Sequence, residues 1–374
     1  MTPLKEDWQV LCGLFPADWE ELGRITGAVA RLRGFDSLDN LFRTLLLHVG
    51  CGWSLRETAV QAKVAGIADV SDVTLLNRLR QSENWLRQLC QQLWKDNGVV
   101  LEPALRGRPV RLVDATVVRE PGKTGSQWRL HYSIRLPSLE CDQFELTPVQ
   151  GKNTGEKFAR FGFHAGELVL ADAGYGNPPG IAAVVGQGAD VCVRLNPVSL
   201  PLMDERGHSF PLLQKVQRLK KAGDIAEWRV WVRSKDGNIA GRVCGIRKSE
   251  EAIQRALRRL LLKQQNGKGE ATPETREYAC YVLVFTTLPQ SHASARYILE
   301  CYRLRWQIEL TFKRLKSILQ LGHVPKQDDQ SSRAWLYGKL FVALLSQKLV
   351  RVGSTISPWG YYLDGQASDT QSLA

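Results

Sequence analysis

A short stretch late in the chain, residues 301–316, brings one carboxylate together with cations and a phenol. On a helix that turns about 100° per residue, four of its side chains fall within a wedge roughly 60° wide. They are Tyr302, Arg305, Glu309 and Lys316. A metal-binding carboxylate beside cations that grip phosphates is what strand chemistry on a nucleic acid requires. The pattern therefore predicts that further carboxylates of the same site lie elsewhere in the chain.

Two aspartates stand where such a site needs its other carboxylates. Asp114 lies in the middle of the nearly all-apolar run Arg-Leu-Val-Asp-Ala-Thr, and burying a lone carboxylate is costly unless it is paired or binds a metal. Asp172 ends the run Leu-Val-Leu-Ala and precedes Ala-Gly-Tyr-Gly-Asn, which is typical of a turn at the C-terminal edge of a sheet. Open α/β sheets bind their ligands at that edge.

Each carboxylate also has a structural interpretation. Asp114 could belong to a β-bulge or a turn, and Asp172 could cap the turn into the next helix. Glu309 could make i,i+4 pairs with Arg305 and Lys313. All three interpretations stay open for the single residues, but their coincidence at the positions that one active site needs favours the site.

Three carboxylates without His or Cys ligands suit hard divalent ions, Mg²⁺ or Mn²⁺. Two such ions about 4 Å apart can activate a water or a 3′-hydroxyl and stabilise the leaving oxygen. Beside them, Arg305, Lys313 and Lys316 would grip phosphates, and Tyr302 would donate its hydroxyl. The predicted chemistry is phosphoryl transfer.

The segment before these motifs, residues 16–104, has a helical apolar pattern. Ser54 opens a capping box for one helix and Ser71 opens the next, which carries Arg78 and Arg80. Two short helices joined by a Gly-containing turn resemble a helix-turn-helix, so Arg78 and Arg80 are candidate DNA contacts. A structural bundle with a solvated basic face is the alternative.

From residue 110 the pattern changes to strands and helices in the order βββαβαβ, which is the strand order of an RNase H-like core. The first and fourth strands are neighbours in that order, so Asp114 and Asp172 would lie side by side. We expect one long helix over about 291–320 and a last helix, Arg333 to Arg351. The predicted fold is an α/β, RNase H-like mixed sheet flanked by helices, with an all-α N-terminal domain and a β-rich insertion.

The predicted domains follow from these changes of pattern. A helical DNA-binding domain covers 1–105, and the catalytic core covers 106–195 and 286–352. A β-rich insertion subdomain occupies 196–285, and a polar, mobile tail occupies 353–374.

The charge balance indicates a polyanionic partner. Fifty Lys and Arg against 38 Asp and Glu leave a formal net charge of +12 and a pI near 9.4. Nucleic acid is a better candidate for this partner than a membrane surface. The longest apolar runs also fall short of the ~20 residues that a membrane helix needs. The eight cysteines are scattered singly, which is typical of reduced thiols and excludes a zinc or disulfide framework.

The motifs together resemble a known family. D-A-T on the first strand, A-D-A-G-Y-G-N on the fourth, and Y-x2-R-x3-E-x6-K on the late helix are similar to the DDE transposases of bacterial insertion sequences, specifically family four with its Y-R-E-K signature. The resemblance spans residues from about 37 to 350. Its most specific element is the Y-R-E-K spacing.

The resemblance implies that Asp114, Asp172 and Glu309 hold two Mg²⁺ or Mn²⁺ ions, and that Tyr302, Arg305 and Lys316 contact DNA near the cleaved phosphate. It further implies a homodimer on double-stranded DNA that cuts the inverted-repeat ends, can pass through a hairpin, and joins the 3′-hydroxyls to target DNA. The expected location is the bacterial cytoplasm, at the nucleoid. Competing hypotheses are an RNase H-like nuclease without strand transfer and a non-catalytic DNA-binding regulator.

Relatives can flip a base onto a tryptophan in the strand before the late helix, where this chain offers only Tyr281 and Phe285. Tyr281 could stack a base instead, or its ring could belong to the core. Trp228 and Trp231 in the insertion are alternatives.

Overall fold

The chain folds as two compact units, one formed by residues 1–99, 120–126 and 317–374 and the other by residues 100–119 and 127–316. The structure is a computed structural model. Its described residues are 4–29, 31–96, 104–105, 107–119, 127–235, 237–265, 270–322, 324–325 and 328–356.

The first unit is helical throughout the residues described. Helices begin where serines supply the backbone N–H groups of a first turn with an acceptor. Ser54 Oγ accepts from Glu57 N at 3.1 Å, and Ser71 Oγ accepts from Thr74 N at 3.2 Å, which confirms both predicted helix starts. In the part of the chain that the structure describes, the helices before the sheet are α1 (Leu4–Cys12), α2 (Trp19–Ile25), α3 (Leu38–Cys51), α4 (Leu55–Val64), α5 (Asp72–Gln81) and α6 (Glu83–Asp96).

Aromatic rings fill the interior of this unit. Phe42 and Trp85 are fully buried, and their ring centroids lie 4.6 Å apart. Trp19 stacks on Trp85 at 6.2 Å, and Phe15 meets Phe42 edge to face at 5.3 Å. Large buried rings contribute much of the apolar burial of a small helical unit. This region therefore has its own core.

The second unit is built on a single sheet. Within the described residues its strands are β1 (Val110–Arg119), β2 (Gln127–Leu136), β3 (Cys141–Pro148), β4 (Leu168–Ala171), β5 (Asp190–Arg194), β6 (Ile225–Ser234), β7 (Gly237–Arg247) and β8 (Tyr281–Thr286).

The strands lie in the order β3-β2-β1-β4-β5-β8-β7-β6. The first three form an antiparallel meander, and β1, β4 and β5 run parallel. Parallel neighbours need crossover connections, and a helix separates β4 from β5 along the chain. β4 is fully apolar, whereas β5 has an apolar centre flanked by Asp190 and Arg194. The order β3-β2-β1-β4-β5 is that of an RNase H-like core, so the predicted fold class is confirmed.

The inserted strands do not form a sheet of their own within the described residues. β8 pairs antiparallel with β5 through Val193↔Phe285, and β7 and β6 then extend the same sheet. The β-rich insertion predicted over 196–285 therefore contributes its strands to the sheet of the core. Sequence periodicity identifies strands but does not say which sheet their free edges join.

Helices of the second unit cover the sheet and differ from the prediction in two places. The helix expected after the third strand of the βββαβαβ order is only a 3₁₀ turn, Phe158–Arg160, and the long helix expected over 291–320 is broken in two. The helices are α7 (Pro178–Val185), α8 (Leu212–Val216), α9 (Glu250–Gln265), α10 (Pro273–Tyr278), α11 (Ala295–Arg303) and α12 (Trp306–Ser317).

The break between α11 and α12 has a local cause in the hydrogen bonds. Arg305 N donates to Tyr302 O at 3.1 Å, and Gln307 N donates to Leu304 O at 2.9 Å. These are i→i−3 bonds of the 3₁₀ type, which tighten the turn relative to an α-helix. Neither Pro nor Gly occurs at this position, so the sequence pattern predicted one continuous helix.

The last helix, α13 (Asp329–Ile356), belongs to the helical unit and not to the sheet unit. It packs against α6 and α3, with Phe341 fully buried and the Cys90 thiol donating to Tyr337 O at 3.3 Å. The predicted catalytic core ran to residue 352, and residues 329–352 of that prediction group here with the helices of the first unit. Of the tail predicted over 353–374, residues 353–356 continue this helix, and 357–374 lie outside the described residues.

Across the described chain, none of the helices combines the length and the apolar character that crossing a lipid bilayer requires.

Candidate catalytic site

Two aspartates meet at one edge of the sheet because their strands run in parallel and in register. Val113↔Ala171 is the last pair between β1 and β4, and the next residues along the two strands are Asp114 and Asp172. On the other side of β1, Asp114 pairs with Tyr132 of β2. The predicted neighbourhood of Asp114 and Asp172 is therefore present. A carboxylate at this edge stands where α/β sheets bind ligands.

Asp114 is held in an environment that disfavours its charge. Its side chain is 13% exposed. Burial raises the pKa of Asp114 to about 7, and repulsion from the carboxylates of Asp172 and Glu156 adds to the rise. The N–H of Ala115, which donates to Oδ1 at 2.8 Å, and the guanidinium of Arg305 act in the opposite direction. Perturbed carboxyl groups of this kind are characteristic of functional sites.

Asp172 is fixed by the turn that follows β4. Gly174 N donates to Asp172 Oδ1 at 2.8 Å, which closes an Asx-type turn. The capping interpretation is thus also true of this residue. One oxygen held by the turn leaves the second carboxylate oxygen to act at the sheet edge.

Arg305 connects the sheet edge to the helices. It lies in the break between α11 and α12, and its Nη1 donates to Asp114 Oδ2 at 3.3 Å. Its Nη2 donates to Glu309 Oε1, so the i,i+4 pair that the sequence allowed does form. Glu309 is more exposed, at 57% of its side chain. One guanidinium therefore brings the first and third carboxylates of the predicted triad to a common point.

Tyr302, near the end of α11, faces the same edge. Burial raises the pKa of its phenol, and the carboxylate of Asp172 adds to the rise, while Arg305 and Arg194 act in the opposite direction. Tyr302 thus remains protonated and able to donate. Its electrostatic coupling to Asp172 and Arg305 places it beside the carboxylates.

The two lysines of α12 differ in their surroundings. Lys313 is exposed, whereas Lys316 is half-buried. Burial lowers the pKa of Lys316, and the nearby cation Arg119 lowers it further. Two cations this close form an electropositive spot at the end of β1 and α12, which suits a phosphate.

Among the residues described, no group of three His, Cys, Asp or Glu side chains is arranged to hold a metal ion as it stands. Arg305 accounts for this, because its guanidinium pairs with both Asp114 and Glu309. The donors nevertheless fit a hard divalent cation. All are carboxylates, and the repulsion that Asp114 feels from Asp172 would be relieved by a positive ion between them.

Three other residues predicted to contact DNA are buried or already paired. Arg78 of α5 is buried, and its Nη2 donates to the backbone carbonyl oxygens of Arg31 and Arg33. Arg80 is partly exposed and pairs with Asp328 at 2.8 Å. Tyr281 is buried in the core of the sheet unit, and its hydroxyl donates to Glu277 Oε1 at 3.0 Å. The enclosed ring of Tyr281 leaves no face for a base, and the guanidinium of Arg78 is buried and bonded to backbone oxygens.

Two residues that the sequence reasoning missed also lie at the edge. Arg194 follows directly on the apolar part of β5, and its exposed side chain influences the pKa of Tyr302. Its position at the end of a parallel strand was a usable signal, since such ends share one edge. Glu156 influences Asp114 from a loop without regular structure, and no pattern in the sequence pointed to it.

Comparison with known proteins decides what kind of site this is. Residues 105–345 match the family model described as a transposase DDE domain. The chain belongs to the DDE transposase family. All three carboxylates and the whole of the Y-R-E-K stretch lie inside the matched region.

Named relatives of this DDE transposase come from bacterial insertion sequences. The putative transposase InsL of element IS186A and the transposase of IS421, both from Escherichia coli, are each 31% identical over 92% of this chain and 93% of their own length. The transposase of IS231C from Bacillus thuringiensis subsp. berliner is 24% identical over 89% of this chain and 77% of its own. The predicted kinship with insertion-sequence transposases is confirmed.

A comparison of structures adds little. The catalytic domain of human Endonuclease V aligns with 63% of this chain and 96% of its own, with 12% identity and a TM-score of 0.28. A TM-score this low supports no conclusion about the fold. Membership of the DDE family itself implies a divalent metal and a DNA substrate.

Proposed function

We propose that this DDE transposase binds the inverted-repeat ends of an insertion sequence, cleaves the DNA there and joins the freed 3′-hydroxyls to target DNA. The observation that carries the proposal is the convergence on one edge. The register of β1 and β4 sets Asp114 beside Asp172, and Arg305 links Asp114 to Glu309. These contacts support a single site to which three elements far apart in sequence each contribute one carboxylate.

Asp114, Asp172 and Glu309 are the residues that we propose hold the metal, Mg²⁺ or Mn²⁺, as two ions per site. Such ions supply activation of the attacking water or 3′-hydroxyl and stabilisation of the leaving oxygen. The oxygen-only donor set favours these ions over Zn²⁺, which prefers nitrogen and sulfur. Because the pKa of Asp114 is raised to about 7, a metal ion that binds beside it would displace the proton of the carboxyl group.

The cations around the carboxylates are suited to the scissile phosphate. Arg305 is half-buried and planar, and it can exchange its carboxylate partners for phosphate oxygens with similar bidentate geometry. Tyr302 can donate its protonated hydroxyl to the same group. Lys313 and Lys316 extend this grip along α12, and Arg194 extends it along the sheet edge.

We further propose that α4 and α5 contact the transposon end, with Arg80 among the contacts. Arg78 and Tyr281 are left out of this set, because hydrogen bonds and burial already occupy them. Action as a homodimer, in which each subunit grips one end, rests on the family alone. A protein with this substrate works at the bacterial nucleoid, in the cytoplasm, which is the location we propose.

Purified protein incubated with labelled end DNA, a target plasmid and Mg²⁺ tests the proposal. We expect nicking at the end, followed by a joined product that contains label and plasmid. The Glu309→Gln variant should yield neither, while a variant of an exposed carboxylate outside the site, Glu205→Gln, should behave as the wild type.

The products separate the competing functions. Cleavage without a joined product would show a nuclease of the same metal chemistry. End binding without cleavage by the wild type would show a DNA-binding regulator. Either outcome would contradict the proposed transposition activity.

A further inference from the structure

A fourth carboxylate, that of Glu156, lies beside Asp172. None of the three family motifs in the sequence includes it. Gly174 lies between the two carboxylates. A Cβ added to Gly174 would collide with Glu156 Oε2 and lie 3.1 Å from Asp172 Oδ1. The two carboxylates thus flank the same glycine. Only a residue without a side chain leaves room for Glu156 here.

Hydrogen bonds fix the loop that carries Glu156 on the N-terminal side of this residue. Arg129 Nη1, from β2, donates to Thr154 O at 2.8 Å. Arg160 Nε donates to Gly155 O at 3.2 Å. These bonds satisfy the two carbonyls directly before Glu156, and both donors are permanently charged. The placement of Glu156 at the sheet edge is therefore built into the loop.

On its other side the loop is anchored by burial. Phe158 is fully buried in the core of the sheet unit, where its ring lies 5.0 Å from that of Tyr175. Tyr175 belongs to the turn that follows Asp172. The segment before Glu156 is thus fixed to β2, and the segment after it is fixed to the turn of Asp172. The backbone at Glu156 is therefore held at the sheet edge from both sides.

The carboxylate of Glu156 is half-buried and makes no hydrogen bond or ion pair with any residue that the structure describes. Burial and the charge of Asp172 both raise its pKa, and Arg129 only partly offsets them. An unpaired, partly buried carboxylate next to another one is costly, unless a cation binds between them. Asp114 also feels the charge of Glu156.

We propose that Glu156 is a fourth carboxylate of the metal site and binds the divalent ion together with Asp172. This inference rests on the proposed function, because that function requires a metal at Asp172. It adds a ligand from the loop before β4, a region in which the Y-R-E-K and aspartate motifs assign nothing. The ion would be held from both sides of the turn at Gly174.

Calorimetric titration of the DNA-free protein with Mn²⁺ tests the inference without any reading of activity. Two variants address Glu156 in different ways. Glu156→Gln removes its charge, and Gly174→Ala keeps the charge but pushes the carboxylate aside, since the added Cβ meets the end of a flexible side chain. We expect each to weaken Mn²⁺ binding about 10- to 100-fold, the range seen when groups that support a metal site are removed. Glu205→Gln should bind as the wild type.

The Asp172→Asn variant distinguishes a failure of the inference about Glu156 from a failure of the proposed metal site. If Asp172→Asn loses Mn²⁺ binding while Glu156→Gln and Gly174→Ala bind as tightly as the wild type, the inference about Glu156 is overturned and the proposed site stands. If Asp172→Asn also binds as the wild type, the proposed site and the inference are both wrong. Thermal unfolding in the presence of a chelator checks the fold, since removing an unpaired carboxylate should not lower the metal-free melting temperature.

Discussion

Arg305 donates from its guanidinium to the carboxylate of Asp114 over 3.3 Å, although 191 positions separate the two residues. The same guanidinium also pairs with Glu309, so a cation already lies between the two outer carboxylates of the predicted triad. A bound metal would take over this role. Arg305 would then be free to hold a phosphate beside the metal.

Replacing Glu309 by glutamine should abolish cleavage and leave end binding largely intact. The amide keeps the size of the side chain but removes the negative charge that a metal needs. We expect the nicking rate to fall by about 10²–10³-fold or more, the size of effect that follows loss of one preorganised charge-stabilising group. Nicking of labelled end DNA and a gel-shift titration measure the two properties. Glu300→Gln, an exposed position of α11, serves as the control, and loss of end binding in Glu309→Gln would show a structural role instead.

Replacing Arg305 by alanine should weaken binding of DNA near the cut and flatten its dependence on salt. Each phosphate contact that is lost reduces the slope of log K against log salt by about 1. Lysine at position 305 should rescue only part of the affinity, because it lacks the planar fork of arginine. Binding is measured at several salt concentrations, with Arg206→Gln in an exposed turn as the control. An unchanged slope for Arg305→Ala would remove Arg305 from the DNA-contacting set.

Replacing Lys316 by glutamine should also weaken the binding of DNA and its dependence on salt. Its half-buried ammonium has a lowered pKa, and the neighbouring Arg119 lowers it further. Lys316→Gln should reduce the salt slope by about 1 and leave the melting temperature unchanged or slightly higher, since it removes a partly buried cation. A lower melting temperature with an unchanged slope would indicate a structural role.

Asp114 should make the stability of the metal-free protein depend on pH. Its pKa is raised from 3.8 to about 7 in the folded state, so the folded protein keeps a proton that the unfolded chain loses above pH 4. This contribution to stability is complete below the unfolded pKa and is lost as the pH rises through about 7. In a chelator, Asp114→Asn should therefore become more stable relative to the wild type between pH 4 and 7, by up to about 1.4 kcal/mol per pH unit, and the difference should level off above. Thermal unfolding at a series of pH values measures it, and a constant difference would contradict the raised pKa.

Substitutions of Arg78 and Arg80 should have different effects on the stability of the helical unit and on its binding of DNA. Arg78→Ala removes buried charged donors to the backbone oxygens of Arg31 and Arg33, which we expect to cost about 1.5–3 kcal/mol of stability. Arg80→Ala breaks a partly exposed pair with Asp328 and should cost no more than about 1 kcal/mol, while it weakens end binding. Chemical unfolding and gel shifts measure both. An Arg78→Ala protein that is fully stable but cannot bind the ends would reverse the assignment.

Much of the sheet could be predicted because its strands are short, apolar and separated by turn residues. The pattern of β1 to β5 led directly to the parallel neighbours β1 and β4, and so to Asp114 beside Asp172. The partners of β6 and β7 could not be predicted in this way. A strand pattern describes the faces of a strand, whereas the pairing of its edges depends on contacts distant in sequence.

The site was predicted less completely than the sheet. A single tightened turn at Arg305 divides the expected helix, and nothing in the residue types there distinguishes a 3₁₀ turn from an α-helical one. Glu156 was missed because its position depends on hydrogen bonds from Arg129 and Arg160 to loop carbonyls. The burial of Arg78 was not predicted, and that of Tyr281 was one of two open interpretations, since aromatic and basic residues occur both in cores and at DNA interfaces.

Metal-directed cleavage of the chain tests the central claim most directly. In the DNA-free protein, Fe²⁺ with ascorbate and peroxide generates radicals that cut the backbone next to the bound ion, and mass spectrometry locates the cuts. We predict cuts near Asp114, Asp172 and Glu309 together, suppressed by excess Mg²⁺ and absent from Asp172→Asn. Cuts at other places, or cuts at these three that excess Mg²⁺ and Asp172→Asn leave unchanged, would contradict a metal site formed by these three carboxylates.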